Sequence, residues 1–379
     1  VRIDLPRPDG SLAPYTMGEP RTYAPPPGPS ASRTAYAAAH VVADPSGAGV
    51  LDWDTTLAFR RHLWSHGLGV AEAMDTAQRG MGLDWEVTRE LIARSGQEAL
   101  SAGGRIVCGA GTDQLPPGPA PLDRIAEAYE EQLAVVEAAG AVPVLMASRQ
   151  LAASAQGPDD YAAVYGRLLR QVTRPAVLHW LGPMFDPALD GYWGSTDLDT
   201  ATDALLALIG DHTSKIDGVK VSLLDAAREI DIRRRLPSGV RLYTGDDFNY
   251  PELIRGDEAG HSDALLGIFD PIAPAAAAAL QALDKGDTTA YDEIFAPTLP
   301  LARHLFATPT YYYKTGVVFL AWLTGHQRHF RMVAGLETAR PVPHLVRLFQ
   351  LADAAGLFPD PGLAASRMRA WLTVQGAAP

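Results

Sequence analysis

Lys220 lies between two valines in the run Ile216-Asp217-Gly218-Val219-Lys220-Val221-Ser222, and it is one of only four lysines among 32 basic residues. A short apolar run of this kind reads as a buried strand. Burial penalises the ammonium form, so a lysine held there loses its proton more easily and becomes a nucleophile. A free lysine amine condenses with a ketone or aldehyde to an iminium, and that iminium draws electrons out of an adjacent bond. The bland alternative is a strand-edge lysine whose tip reaches solvent. The surrounding elements decide between the two.

From Thr34 onward, short apolar runs alternate with longer amphipathic stretches. Strands are expected over 35–42, 68–74, 105–110, 141–147, 175–181, 216–222, 240–244 and 263–269. Helical periodicity falls between them over 52–65, 85–102, 121–139, 158–172, 198–212 and 223–235. Asp84 is positioned as an N-cap and Gly140 as a C-terminal stop. Eight strands alternating with helices predict a (β/α)8 barrel over 35–272 rather than an open sheet. No glycine-rich phosphate loop follows any strand in the Rossmann or Walker spacing. Residues 1–34 are rich in Pro, Ser and Gly and read as an extended arm without a core of its own. Residues 273–379 are helical only, over 274–285, 288–306, 314–325, 344–356 and 363–373, and form a C-terminal cap.

A barrel gives function an address, because catalytic residues in this fold sit at the C-terminal ends of the strands. Those positions carry His40, Asp75 with Thr76, Thr112 with Asp113, Arg149, His179, Lys220, Asp246 with Asp247, and Asp270. Taken singly, each reads more readily as a cap, a turn or a packed core group.

The second half of the chain resembles the dihydrodipicolinate synthase and N-acetylneuraminate lyase family of class I aldolases. Gly218-Val219-Lys220-Val221-Ser222 stands where that family has its Schiff-base strand. Tyr243-Thr244-Gly245-Asp246-Asp247 is similar to its Ser-Gly-Asp-Asp segment. Gly286-Asp287, Leu299-Pro300-Leu301, Phe306-Ala307-Thr308-Pro309 and Tyr313-Lys314-Thr315-Gly316 follow in the family's order. Residues 216–356 carry the likeness best, and residues 35–181 follow it as a looser pattern. The resemblance implies a divergent subgroup with Lys220 as the Schiff-base lysine.

The departures concern the pocket. The tyrosine of the fifth strand, which moves protons in the family, is replaced by His179 in Leu178-His179-Trp180-Leu181. The loop that grips a pyruvate-type carboxylate falls on Met74-Asp75-Thr76-Ala77-Gln78, where only the second threonine survives. Asp75 would repel a substrate carboxylate, and the arginine that often follows the fifth strand is absent. Lys220, His179 and Thr76 are therefore the expected catalytic set, with His179 as acid/base and Thr76 as relay. Asp75, Arg149, Gly245, Asp246 and Asp247 are expected to hold the substrate. Trp180, with Tyr192 and Trp193, is expected to stack on a sugar face.

The reading is a Schiff-base lyase acting on a small carbonyl compound, a polyhydroxy ketone or aldehyde rather than pyruvate, with no cofactor and no metal. Two alternatives stay open. One is a divalent-metal isomerase or epimerase using His40, Glu72, Asp75, His179, Asp246 and Asp247 as ligands. The other is an inactive barrel that only binds. A net charge of −12 argues against nucleic-acid partners. No apolar run is long enough to span a membrane, and the start of the chain lacks the order of a signal peptide. The single Cys108 fits a reducing cytoplasm. A homo-oligomer, dimer or tetramer, is expected because closed symmetric assemblies are the default.

Overall fold

The structure is a computed structural model in which residues 1–7 and 9–377 are described. Two short strands come first: β1 (Arg2–Pro6) and β2 (Leu12–Thr16) pair as an antiparallel hairpin. The eight strands that follow are β3 (Ala35–Ala38), β4 (Gly69–Glu72), β5 (Ile106–Ala110), β6 (Val142–Leu145), β7 (Ala176–Leu181), β8 (Ile216–Ser222), β9 (Arg241–Thr244) and β10 (Asp263–Leu266). All are parallel, and β10 pairs back onto β3, so the sheet closes and keeps no edge. They are the eight strands expected from the sequence, most of them shorter at the ends.

Helices wrap the barrel as α1 (Trp53–Ser65), α2 (Trp85–Ala102), α3 (Leu122–Ala138), α4 (Arg149–Ser154), α5 (Pro158–Gln171), α6 (Leu198–Asp211), α7 (Ala226–Arg235) and α8 (Tyr250–Arg255). Asp84 caps α2 through Val87 N–H at 2.9 Å, and Gly140 follows α3 at φ +74°. The short helices α4 and α8 carry too few turns to leave a periodic signal. After β10 come α9 (Ala273–Asp284), α10 (Thr288–Phe295), α11 (Thr298–Leu305), α12 (Tyr313–Leu323), α13 (Val342–Ala354) and α14 (Pro361–Val374). The single helix expected over 288–306 is thus two, broken around Pro297, which has no N–H to continue the ladder. No helix among the described residues is long and apolar enough to cross a membrane.

Strand alternation sorts every side chain of β8 to one of two environments. Val219 and Val221 join the core between barrel and helices. Gly218, Lys220 and Ser222 take the inward positions. Tyr36, Val107, Val144, Val177, Tyr243 and Leu265 fill the barrel interior, and Gly218 makes room for the Tyr243 ring, since a Cβ there would stand 2.8 Å from Cε2. Lys220 sits on top of that plug.

The N-terminal stretch departs from the expected coreless arm. Ile3, Leu5 and Met17 are buried, and β1 packs against α13 and α14. Tyr15 donates to Asp353 at 2.7 Å, and the Gly18 N–H reaches the same carboxylate at 3.0 Å. Proline-rich composition hid two strands that borrow their core from the helical cap. Leu5→Ala should therefore cost about 2–5 kcal/mol of stability in denaturant melts, as for other buried leucines. A change within the range of exposed-site substitutions would show that the hairpin is dispensable.

Candidate active site

β7 and β8 pair with His179 directly opposite Lys220 and Leu181 opposite Ser222. Both His179 and Lys220 are buried. Lys220 lines a narrow chamber of about 10 Å3 together with Asp75, Thr76, Ser222, Asp247 and Tyr313. Burial pushes its ammonium below the ordinary lysine range, against the opposing pull of Asp75 and Asp247. Burial likewise pushes the Asp247 carboxyl up to about 7, although Ile268 N–H donates to it at 2.8 Å and Lys220 draws it down. Each of the two charges favours the other against the cost of burial.

Gly245 is essential to this arrangement. A Cβ on it would come 2.8 Å from Lys220 Cε and collide with the Ser222 hydroxyl. Gly245 therefore leaves space for the lysine side chain. Two of the non-glycine residues with left-handed backbone lie one or two positions from chamber residues, Ala73 at φ 53° before Met74 and Leu224 at φ 54° after Ser222. Strain of this kind persists where the surroundings over-determine it, and functional sites are where it clusters.

Proton-handling groups surround the lysine. His179 Nε2 lies 3.3 Å from Ser222 Oγ, and Nδ1 has no partner among the described residues. Burial first, and Lys220 second, hold this imidazole neutral, well below its usual pKa. Thr76 Oγ1 is 2.7 Å from the phenol of Tyr313. Burial and then the charge of Asp75 push that phenol well above its ordinary value, so it keeps its proton. Tyr313 begins α12 in the helical cap. Its place in the landmark Tyr313-Lys314-Thr315-Gly316 is the only sign of it in the sequence, and that sign does not mark it as a site residue.

Asp75 and Leu181 also line a second, wider cavity of about 630 Å3. His179, Arg79, Arg149, Thr112, Asp113 and Asp186 are among its walls. Its arginines are already paired, Arg149 with Asp186 at 2.5 Å and Arg79 with Asp113 at 2.7 Å. Lys314, a further buried amine pushed down to about 8 by burial, donates to Tyr311 O at 3.2 Å.

Several expected residues take other parts. Asp246 lines neither cavity; it accepts from Phe248 N–H, Asn249 N–H and Asn249 Nδ2 at 2.8–3.0 Å, which fixes the turn after β9. Trp180 is one residue from His179 and so points out of the barrel into the helix-side core. Trp193 and Tyr192 are buried with Tyr161 and Tyr165 in an aromatic cluster, and none of these rings lines either cavity. Glu72 is engaged by Arg60 through two 2.8 Å contacts and by Ser95, and His40 by Asp270 at 2.8 Å. Among the described residues no three His, Cys, Asp or Glu side chains converge as a metal set.

One buried acid supports the site from behind. Glu229 on α7 accepts from Thr244 Oγ1 at 2.9 Å and Ser262 Oγ at 2.7 Å. Burial pushes it from 4.5 up to about 8. The folded state then holds a proton that the unfolded chain has released between those values. Stability from this group is full below about pH 4.5, declines as pH rises and is flat above about pH 8. Glu229→Gln should flatten that decline, which amounts to about 1.4 kcal/mol per pH unit inside the window, in denaturation curves taken across it. An unchanged slope would mean that the carboxyl ionises freely.

A protein family described as "Protein of unknown function (DUF993)" matches residues 3–377. The chain belongs to this family. No curated protein matches the sequence. Among solved structures, dihydrodipicolinate synthase from Aquifex aeolicus aligns at TM-score 0.65 and 14% identity, over 86% of this chain and 99% of its own. YagE, a prophage protein of the dihydrodipicolinic acid synthase family from E. coli K12 in complex with pyruvate, aligns at 0.68, 14%, 86% and 99%. The dihydrodipicolinate synthase from Thermotoga maritima gives 0.65, 14%, 86% and 99%. At such identity the likeness establishes a shared barrel fold.

Proposed function

We propose that this protein is a Schiff-base-forming lyase of the class I aldolase type, with Lys220 as the nucleophile. The observation that carries the reading is a buried, pKa-lowered amine at the C-terminal end of a barrel strand, facing a cavity and flanked by Asp247. A lysine placed there serves packing badly, and amines tuned in this way cluster at functional sites. The Nζ lone pair attacks the substrate carbonyl carbon, the oxygen takes a proton from the Tyr313–Thr76 pair, and the attacking nitrogen gives one back; the Asp247 carboxylic acid supplies the proton with which the hydroxyl leaves. Loss of water leaves the iminium. Neutral His179 then accepts the proton of a β-hydroxyl as the adjacent C–C bond breaks toward the iminium, giving an enamine.

Asp75 and Asp247 beside Lys220 and the paired arginines of the wide cavity disfavour a carboxylate next to the carbonyl. A polyhydroxy ketone or aldehyde fits better, its carbonyl at Lys220 and its hydroxyl-bearing tail among Asp75, Thr112, Gln150 and the Arg149–Asp186 pair. We also propose that the protein works as a homo-oligomer. Borohydride reduction with a panel of keto sugars and 2-oxo acids, followed by intact mass and peptide mapping, tests the central reading. A stable adduct on Lys220 with a keto sugar is expected. Adducts only with 2-oxo acids would overturn the substrate class, and no adduct on Lys220 with any carbonyl would overturn the mechanism.

A further inference from the structure

A cavity of about 240 Å3 lies beside the barrel, and it shares no lining residue with the chamber at Lys220 or with the wide cavity next to it. Its walls are largely carbon, from Phe59 on α1, Pro271, Pro274, Ala321 on α12, Leu357 and Pro359. Asp270, which follows β10, reaches this cavity and is fully buried. Its Oδ2 accepts both the His40 N–H and the His40 ring Nδ1, each at 2.8 Å. Its Oδ1 is buried with no partner among the described residues, and so is the hydroxyl of Tyr23, which lines the same cavity. Two orphaned polar groups on residues that wall one cavity are costly unless something satisfies them.

We propose that this cavity is a second ligand site, for a small molecule with a carbon-rich body and one ammonium or N–H group that donates to Asp270 Oδ1. The volume suits a single ring or a short branched chain. Tyr23 supplies a hydroxyl for a second polar atom of the ligand. The rings of His62 and His326 stand 4.2 Å apart on the same wall. Burial holds them neutral, at about 3 and about 4, so they carry no charge that would repel a cation. Arg21 at the rim is tied to Glu293 O at 3.3 Å.

Benzylamine is a suitable probe, and benzoate is its oppositely charged counterpart. Titration into the full chain at neutral pH, followed by the imidazole proton resonances of His62 and His326, should give saturable shifts with benzylamine and none with benzoate. Asp270→Asn should weaken benzylamine roughly tenfold or more, the scale of a charge-assisted hydrogen bond. Thr324→Phe, which fills the cavity from a half-buried position, should abolish the shifts and decides the matter if Asp270→Asn does not fold. Shifts that never saturate would mean that the cavity holds solvent only. Equal affinity for benzoate would overturn the ligand class. Binding that survives Thr324→Phe unchanged would place the amine elsewhere. Each of these results sinks the proposal.

Discussion

Lys220→Arg should leave a folded barrel and remove nearly all turnover on the true substrate, a loss of at least roughly 10⁴-fold, the scale on which deletion of a covalent nucleophile acts. Guanidinium stays protonated and cannot form an imine. The close packing of Gly245 against Lys220 Cε leaves little room for a larger head, so Lys220→Met serves as the smaller control and should be equally inactive. Borohydride trapping in the parent chain should rise with pH as Lys220 loses its proton, because the neutral amine is the reactive form. Asp247 opposes that loss, so Asp247→Asn should move the trapping profile toward lower pH. Lys314 and Lys215 are internal controls, their amines donating to Tyr311 O at 3.2 Å and Val172 O at 2.9 Å. Near-normal turnover in either Lys220 variant, or label appearing on Lys314 instead, would end the Lys220 mechanism and leave only the fold.

Tyr313→Phe should cost about 10²–10⁴-fold in kcat, the usual range for a proton-transfer group. Its effect on the fold should be small, because the ring stays stacked on Phe306 at 4.4 Å and only the hydroxyl is lost. Thr76→Val breaks the same 2.7 Å contact from the other side. If the two hydroxyls form one relay, the double variant is little worse than the poorer single one. Additive losses would show that each acts independently, and a Tyr313→Phe enzyme with unaltered kcat would remove the phenol from the chemistry. His179→Ala is expected to act at the later bond-breaking step, still permitting some borohydride-trapped adduct.

Much of the frame was legible in the chain itself. Eight apolar runs separated by amphipathic stretches point to a parallel sheet covered by helices, and eight such units are the number that closes a barrel. Asp84, Gly140 and the burial of Lys220 between two valines are local facts of the same kind. The N-terminal hairpin was hidden although Arg2-Ile3-Asp4-Leu5 alternates, because each strand is only five residues long beside a proline-rich run and because their core belongs to helices far away in sequence.

The site was legible only in part, and the division follows sequence distance. Strand alternation within six residues places Lys220 inward and sends Trp180 outward, and the second of these could have been read from the position of His179. The union of Thr76 with Tyr313, 237 residues apart, has no local signature, because only the docking of α12 over the barrel mouth brings the phenol to the threonine. Asp246 and Asp247 are neighbours with the same side chain, yet one is consumed by a turn and the other faces the lysine. The sequence by itself determined the barrel and its buried amine, since both depend on periodicity and hydrophobic burial. Which hydroxyls, carboxylates and rings surround that amine was decided by the tertiary structure, because a side chain's partners depend on how distant elements pack.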